Sequence, residues 1–497
     1  MKKIVFLSTL VLTFLMLLFS CGKDENPTEP GVGGPNISSF SPTSGPVGTS
    51  IFITGQNFST TASANTVKIG NTTAPVTSAS ATEIFITVPE GATTGALSIT
   101  VDEQTDTAET FTVTEESGIA GITLNKSTLN LFTLDTETLK ATVEGGGSIE
   151  DIVWSSENEE IATVNDNGMV TALKSGNTNI IATIQNISQS CSISIEPNIY
   201  VLGSQSDNNL GTFDVTLWIN NKPSVIEDAF QVGKVFVYNS DIYTTGESIN
   251  DNGPDFASVW KNGVPTNLTS GLSPAEALSV FVEDGNVYVA GRELEDVYVS
   301  KVWKNGELLY NLTDGTYSSR VHSIFVKNGE VYVAGTEYVE NKNVAKVWKN
   351  GVSIQLSENA NAYSVLVHED IIYAVGSKNN IATIWVDGLS TSLINGSNWS
   401  LASSIFIQGR DIYACGFERI GDVEVAIQWK NGIRTDLTDG KSHADANAIF
   451  VNDSDVYVAG WEQIEDKDVA KVWKNGELYF TLDTNTHSSR AQSIFVR

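Results

Sequence analysis

Few side chains in this 497-residue chain are equipped for chemistry. It holds 3 Cys and 4 His, and His322, His368, His443 and His487 lack the i, i+4 or His-x-His spacing that sets two imidazoles on one metal. No Gly-x-Ser-x-Gly elbow and no Ser-x-Asp-x-Gly-x-Thr-Trp word occurs. No catalytic residue, metal ligand or cofactor is therefore assigned. Acids are plentiful, so two loop carboxylates acting as a glycosidase pair stay open. Asp422, Asp466 and Asp468 leave a weak opening for calcium, although such acids read first as a solvated rim. Better suited to recognition are Trp399, Phe417, His443 and Trp461, with Arg320, His322, Tyr363 and Arg490. Asn398, Glu418, Arg419 and Asp445 accompany them. Aromatic faces beside Asn, Asp and Arg suit stacking on a sugar ring or anchoring a protein partner. The alternative, irregular loop residues with partial burial, stands beside that reading.

The elements that must position these residues repeat. Across 197–497 one word recurs: an aliphatic residue, Tyr, two small or aliphatic residues, then Gly. It starts at Ile199, Ile242, Val287, Val331, Ile372, Ile412 and Val456, at intervals of 43, 45, 44, 41, 40 and 44 residues. A period of forty-odd residues made of strand signals predicts a β-propeller with one four-stranded blade per repeat, seven in all. A second word, Trp-Lys-Asn-Gly, begins at Trp260, Trp303, Trp348, Trp429 and Trp473, with variants at Trp218 and Trp385. Asn-Gly and Asp-Gly are strong hairpin signals because both central residues of the tight turn need positive φ. The seven tryptophans read as a packing ring between blades.

A third word, apolar on both faces as an inner strand should be, covers 234–237, 279–282, 323–326, 364–367, 404–407, 448–451 and 493–496. The segment opens without such a strand before Ile199 and stops just after a spare one. The spare strand is expected to complete the first blade and close the ring. The loop leading into each inner strand and the loop after each Ile/Val-Tyr strand then open on one face. These loops vary while the words do not, and they supply the candidate residues.

Composition bounds the partners. Asp and Glu number 59 against 29 Lys and Arg, a formal net charge of -30, which argues against nucleic acid and anionic headgroups. Lys2 and Lys3 precede an apolar stretch, 4–19, that ends in Ser20-Cys21, the pattern of a cleaved secretory leader. Its end resembles the bacterial lipobox, which makes Cys21 the lipidated residue. Lys23-Asp24-Glu25 behind it looks like the surface-export signal of Bacteroidetes lipoproteins. Gly and Pro then mark a flexible tether. Cys191 and Cys415 fall in different domains and read as small apolar residues rather than a disulfide.

Between tether and repeats, Ser-Pro-Thr-Ser-Gly-Pro at 41–46, Ile-Thr-Gly-Gln-Asn-Phe at 53–58, Val-Lys-Ile-Gly at 67–70 and Ile-Thr-Val-Pro at 86–89 closely resemble the IPT/TIG immunoglobulin-like domain. Val-Trp-Ser-Ser-Glu-Asn at 153–158, Ile-Ala-Thr-Val at 161–164 and Asn-Gly-Met-Val-Thr-Ala-Leu at 167–173 resemble the group 2 bacterial Ig-like domain (Big_2) of surface adhesins. Trp154 reads as the core tryptophan of that sandwich. Both resemblances imply spacer or protein-binding modules.

The expected architecture is all-β: two immunoglobulin-like β-sandwiches followed by a seven-bladed β-propeller. The expected boundaries are 1–20 signal peptide, 21–34 tether, 35–115 first sandwich, 118–196 second, and 197–497 propeller. The expected function is a non-catalytic, lipid-anchored surface protein of the outer membrane. It would bind an extracellular glycan or a surface or host protein, meeting the membrane only through its lipid. A propeller hydrolase or lyase and a purely structural envelope protein are the alternatives.

Overall fold

The computed structural model describes residues 33–115, 118–145, 148–206, 213–482 and 488–497. The expected leader, the lipid site Cys21, residues 21–32 of the tether and His487 lie outside them. The chain divides into two compact units, Met1–Thr123 with Thr142–Asp151, and Leu124–Ala141 with Ile152–Arg497. The described residues of each are nearly all β.

In the first unit, residues from Asn36 to Val113 form a four-stranded and a five-stranded sheet. Alternating residues turn inward, so Ile51, Ile53, Ile84 and Ile86 of one sheet meet Val67, Ile69, Leu97, Ile99 and Phe111 of the other in a closed core. In the second unit, a four-stranded sheet whose central strands are Gly176–Ile184 and Ile187–Glu196 faces a three-stranded one. Leu129, Leu131, Val170, Ile180, Cys191 and Ile193 fill the space between them, and the half-buried Trp154 packs against that core. Cys191 and Cys415 are both free and buried.

Seven antiparallel four-stranded sheets make up the rest of this unit. Blade 1 runs from Ala229–Tyr238 to Val264–Asn267, blade 2 from Ala275–Glu283 to Glu307–Asn311 and blade 3 from Ser319–Lys327 to Val352–Glu358. Blade 4 runs from Ala360–His368 to Leu389–Ser392, blade 5 from Ser400–Gln408 to Ile433–Asp436 and blade 6 from Ala444–Asn452 to Glu477–Thr481. Blade 7 combines the last strand, Ser489–Val496, with Ile199–Ser206, Phe213–Ile219 and Lys222–Val225. Ile199 faces Val496, Val201 faces Ile494, and Asn198 and Arg497 exchange backbone hydrogen bonds of 2.7 and 2.9 Å. Each inner strand neighbours the next, and Ala229–Tyr238 neighbours Ser489–Val496, so the sheets form a closed, propeller-like ring.

The repeat words have physical roles in this ring. In every hairpin after the tryptophan strand both turn residues have positive φ, from Asn262 and Gly263 (51° and 81°) to the variant Asn220 and Asn221 (50° and 66°). The turn Asn or Asp also accepts a backbone N–H from the start of the adjacent strand, as Asn262 does from Ile242 at 2.8 Å and Asp387 from Ile372 at 2.9 Å. The seven tryptophans are each at most 3% exposed. Trp303 of blade 2 packs into the cluster of blade 1, and Trp348 of blade 3 into that of blade 2.

Candidate functional site

Every inner strand carries a bulge near its start. Opposite the glycine that ends each Tyr word the ladder slips by one residue, for example between Ala277 and Ser279 and between Val321 and Ser323. The slip leaves Leu278, His322, Tyr363, Ser403, Asn447 and Gln492 outside the ladder, and Gly233 in blade 1. A bulge re-aims a side chain that regular pleating would bury, and all seven of these residues line one cavity at the ring axis, of about 730 Å³. The glycines are forced by the same feature. A Cβ on Gly416 would collide with the carbonyl oxygen of Leu401, and one on Gly460 with that of Asp445. The other five meet the equivalent carbonyl in the same way.

One residue before each bulge pair stands a position that varies around the ring, with six residue types in seven blades: Gln231, Glu276, Arg320, Asn361, Leu401, Asp445 and Arg490. Facing them on the second strand are Glu247, Arg292, Thr336, Ser377, Phe417, Trp461 and Ser204. In blades 3 to 7 this variable layer lines the mouth of the cavity, and its character changes around the ring. Blades 5 and 6 are aromatic. Trp399, 44% exposed, stands edge-on to Phe417 with ring centroids 5.2 Å apart, and the Arg419 guanidinium lies 5.8 Å from its ring. Its loop is pinned twice: Arg419 N–H donates to the Trp399 carbonyl at 2.8 Å, and Asn398 Nδ2 donates to Glu418 Oε1 at 2.8 Å. Glu418 in turn holds Arg434. Trp461 lies under Arg490, 4.3 Å from its ring, and Arg490 is clamped to Asp468 at 2.6 Å. Deeper in, the rings of His322 and Tyr363 touch at a centroid distance of 4.8 Å.

Titratable groups in the cavity are strongly perturbed. Burial, reinforced by Arg320, Lys234 and Arg292, pushes His322 down to about 3, so it is a neutral imidazole. Burial, with Glu424 nearby, pushes Asp445 up to about 7. Asp445 Oδ1 and Ser403 Oγ are buried with no hydrogen-bond partner among the described residues, which leaves both free for a ligand. Outside the cavity lining, in the same layer of blade 1, burial and Glu276 push Glu247 up to about 7. Among the described residues no group of three or more His, Cys, Asp or Glu is placed to hold a metal.

Seven of the eight residues singled out by sequence meet in this cavity: Arg320, His322, Tyr363, Trp399, Phe417, Trp461 and Arg490. His443 does not line it; its Nδ1 accepts the Glu424 N–H at 3.3 Å beside the mouth. Two expectations need correction. Apart from Asn398, Trp399 and His443, the described residues expected on loops lie within strands, because the ladders run past the repeat words up to the mouth. The aromatics are also not all exposed: Phe417 is 5% and Trp461 9% accessible, the first packed against Trp399 and the second covered by Arg490. Sequence reasoning missed Lys234, Ser403, Asn447 and Gln492. The signal was present, since each stands at or next to the position just before an inner-strand word, but the bulge that turns such residues inward has no sequence mark of its own.

Below the bulges the channel narrows to a ring of Phe236, Phe281, Phe325, Leu366, Phe406, Phe450 and Phe495, neighbouring phenylalanines standing 4.8–5.1 Å apart. Phe450 and Phe495 also line a cleft whose other wall is Leu134 and Leu173 of the Ig-like sandwich. There Asn198 Nδ2 donates to the Thr133 carbonyl at 2.6 Å and Thr133 Oγ1 to the Arg497 carbonyl at 3.1 Å. The aromatic mouth therefore opens at the end of the ring opposite the sandwich.

Comparison with known proteins covers the N-terminal part in sequence. Residues 35–113 match the IPT/TIG domain and residues 119–194 the bacterial Ig-like domain (group 2). A protein of Clostridium acetobutylicum is 41% identical over 78 residues, 15% of this chain and 8% of that protein. Among solved structures, an auxiliary nutrient binding protein from Bacteroides thetaiotaomicron is 13% identical with a TM-score of 0.27, covering 89% of this chain and 98% of its own. A periplasmic gluconolactonase from Pseudomonas aeruginosa is 12% identical with a TM-score of 0.35, covering 60% and 99%. The WD40 β-propeller domain of Doa1 is 18% identical with a TM-score of 0.33, covering 52% and 93%. Likeness this slight carries no argument about what the cavity binds. Among the described residues no helix is long and apolar enough to cross a membrane.

Proposed function

We propose that this chain is a non-catalytic binding protein that takes an extracellular glycan into the mouth cavity of its ring. The observation that carries the reading is the convergence of Trp399, Phe417, Trp461 and Tyr363 with Arg320, Arg490 and unpartnered polar atoms on one cavity. Its volume, about 730 Å³, holds two or three sugar rings and falls in the range of small-molecule sites. Trp399 offers a rigid aromatic face at the rim, the arrangement that stacks on a pyranose. The site is a concave cavity rather than a flat face, which places a protein partner second. In this reading Cys21 carries the lipid anchor and the two Ig-like domains act as spacers.

Glycan-array capture of the lipid-free chain, followed by analysis of the bound sugar for cleavage, tests the proposal. Saturable retention of intact oligosaccharide is the expected outcome; absence of retention across the array overturns it. One observation favours a hydrolase or lyase as the second reading. Asp445 keeps its proton to about pH 7 with Glu424 close by, as a general acid does. Turnover of a retained glycan that disappears in Asp445→Asn would establish that reading.

A further inference from the structure

Lysines enclosed by this ring are held by carboxylates. Lys301 pairs with Glu293 at 2.8 Å, Lys346 with Glu337, and Lys471 with Glu462. Lys234 is different. It is half-buried, lines both the mouth cavity and the channel at the phenylalanine ring, and has no carboxylate within 4.0 Å among the described residues; its Nζ donates to the Gln492 carbonyl at 3.2 Å. An ammonium has three donors, so two remain for a ligand. An enclosed charge without a partner is costly, and burial lowers the proton affinity of this amine.

Packing does not explain the residue. Its position in the inner-strand word is Ser279, Ser323, Ser364, Ser404, Ala448 and Ser493 in the other blades. The serine hydroxyl accepts a backbone N–H from the next blade, as Ser279 does from Ile324 at 3.1 Å and Ser493 from Val235 at 3.1 Å. Lysine cannot accept, so blade 1 gives up that link. The strand rearranges around it: Lys234 N–H turns to Thr245 Oγ1 at 3.0 Å, and the bulge beside it is Gly233, where a Cβ would collide with Thr245. Blade 1 thus exchanges a structural hydroxyl for a cation between the mouth cavity and the phenylalanine ring.

The charges around it favour an anion. Arg320 sits at the mouth, sharing Glu276 with Arg292, and Arg490 is neutralised by Asp468. The acids that face the cavity are Asp445, protonated below about pH 7, and Glu424. His322 stays neutral and can donate one hydrogen bond. In a chain of formal net charge -30 the floor of this cavity presents a lysine that no carboxylate of the described residues pairs.

We infer that the glycan is acidic and that Lys234 is the floor contact that receives its carboxylate or sulfate. This inference rests on the glycan reading above and names the class of sugar. The test measures binding to matched pairs: an oligogalacturonide and its methyl ester, and a sulfated oligosaccharide and its desulfated form. For the wild-type chain we expect the free acid or the sulfate to bind at least about 30-fold more tightly than its neutral partner, the pair that responds identifying the anion. Lys234→Met should bring the two members of that pair to within about threefold, and Lys234→Arg should keep most of the preference. Equal wild-type affinity for charged and neutral partners, or an undiminished preference in a folded Lys234→Met, overturns the inference while leaving glycan binding in place. Absence of binding to all four probes overturns both. The wild-type comparison needs no variant, so misfolding of Lys234→Met does not shield the inference.

Discussion

Asp445 is the residue whose ionisation couples most directly to folding. In the unfolded chain it releases its proton near 3.8, in the ring near 7, because burial penalises the carboxylate. A raised acid lends stability in full below the unfolded value, and loses it as pH rises through the folded one. The melting temperature of the wild-type chain minus that of Asp445→Asn should therefore fall between pH 4 and pH 8 and level off above. A difference that stays constant across that range would contradict the buried, protonated state. The residue was visible in the sequence as one acid among many; its burial was not, because it depends on Trp461 across the ladder and Glu424 beside it. Trp399 stood out in the sequence for the opposite reason, as an aromatic outside the repeat words; its packing against Phe417 across the ladder was not visible there.

The bulged inner strand is the element that builds the site. The repeat words recorded its consequences, a terminal glycine that accepts the mouth carbonyl at close range and a small residue ahead of the Ser-Ile-Phe-Val strand, without recording the bulge. Gly416→Ala, with its Cβ set against the Leu401 carbonyl, must separate the strand that follows Trp399 from the strand that carries Phe417. It should lower the melting temperature by several degrees and weaken ligand binding together. The same change at Gly432, where nothing lies within 4 Å, is paid for only by its positive φ and should leave binding unchanged. Loss of stability without loss of binding in Gly416→Ala would separate the glycine from the site. The hairpins were the most legible elements, since Asn-Gly and Asp-Gly specify the turn through local φ alone.

Closure concerns the molecule as a whole. Blade 7 draws one strand from the C-terminus and three from the start of the repeat segment, so Ile494 and Val496 lie in the core with Val201 and Trp218. Removing residues 493–497 opens the ring and uncovers two edge strands. The melting temperature should drop by more than about 10 °C, since several kcal/mol of apolar burial is lost; an unchanged melt would contradict closure. The count and order of the strands were readable from the forty-residue period, whereas the attachment of the sandwich at the phenylalanine end was not, because it rests on single contacts such as Asn198 with Thr133. That attachment turns the aromatic mouth away from the spacer. The most direct measurement is a binding isotherm for a captured oligosaccharide on wild-type chain and Trp399→Ala, with both melts recorded. Binding weakened by at least about 2 kcal/mol at an unchanged melt is the predicted result; equal affinity in the two proteins would place the ligand elsewhere and contradict it.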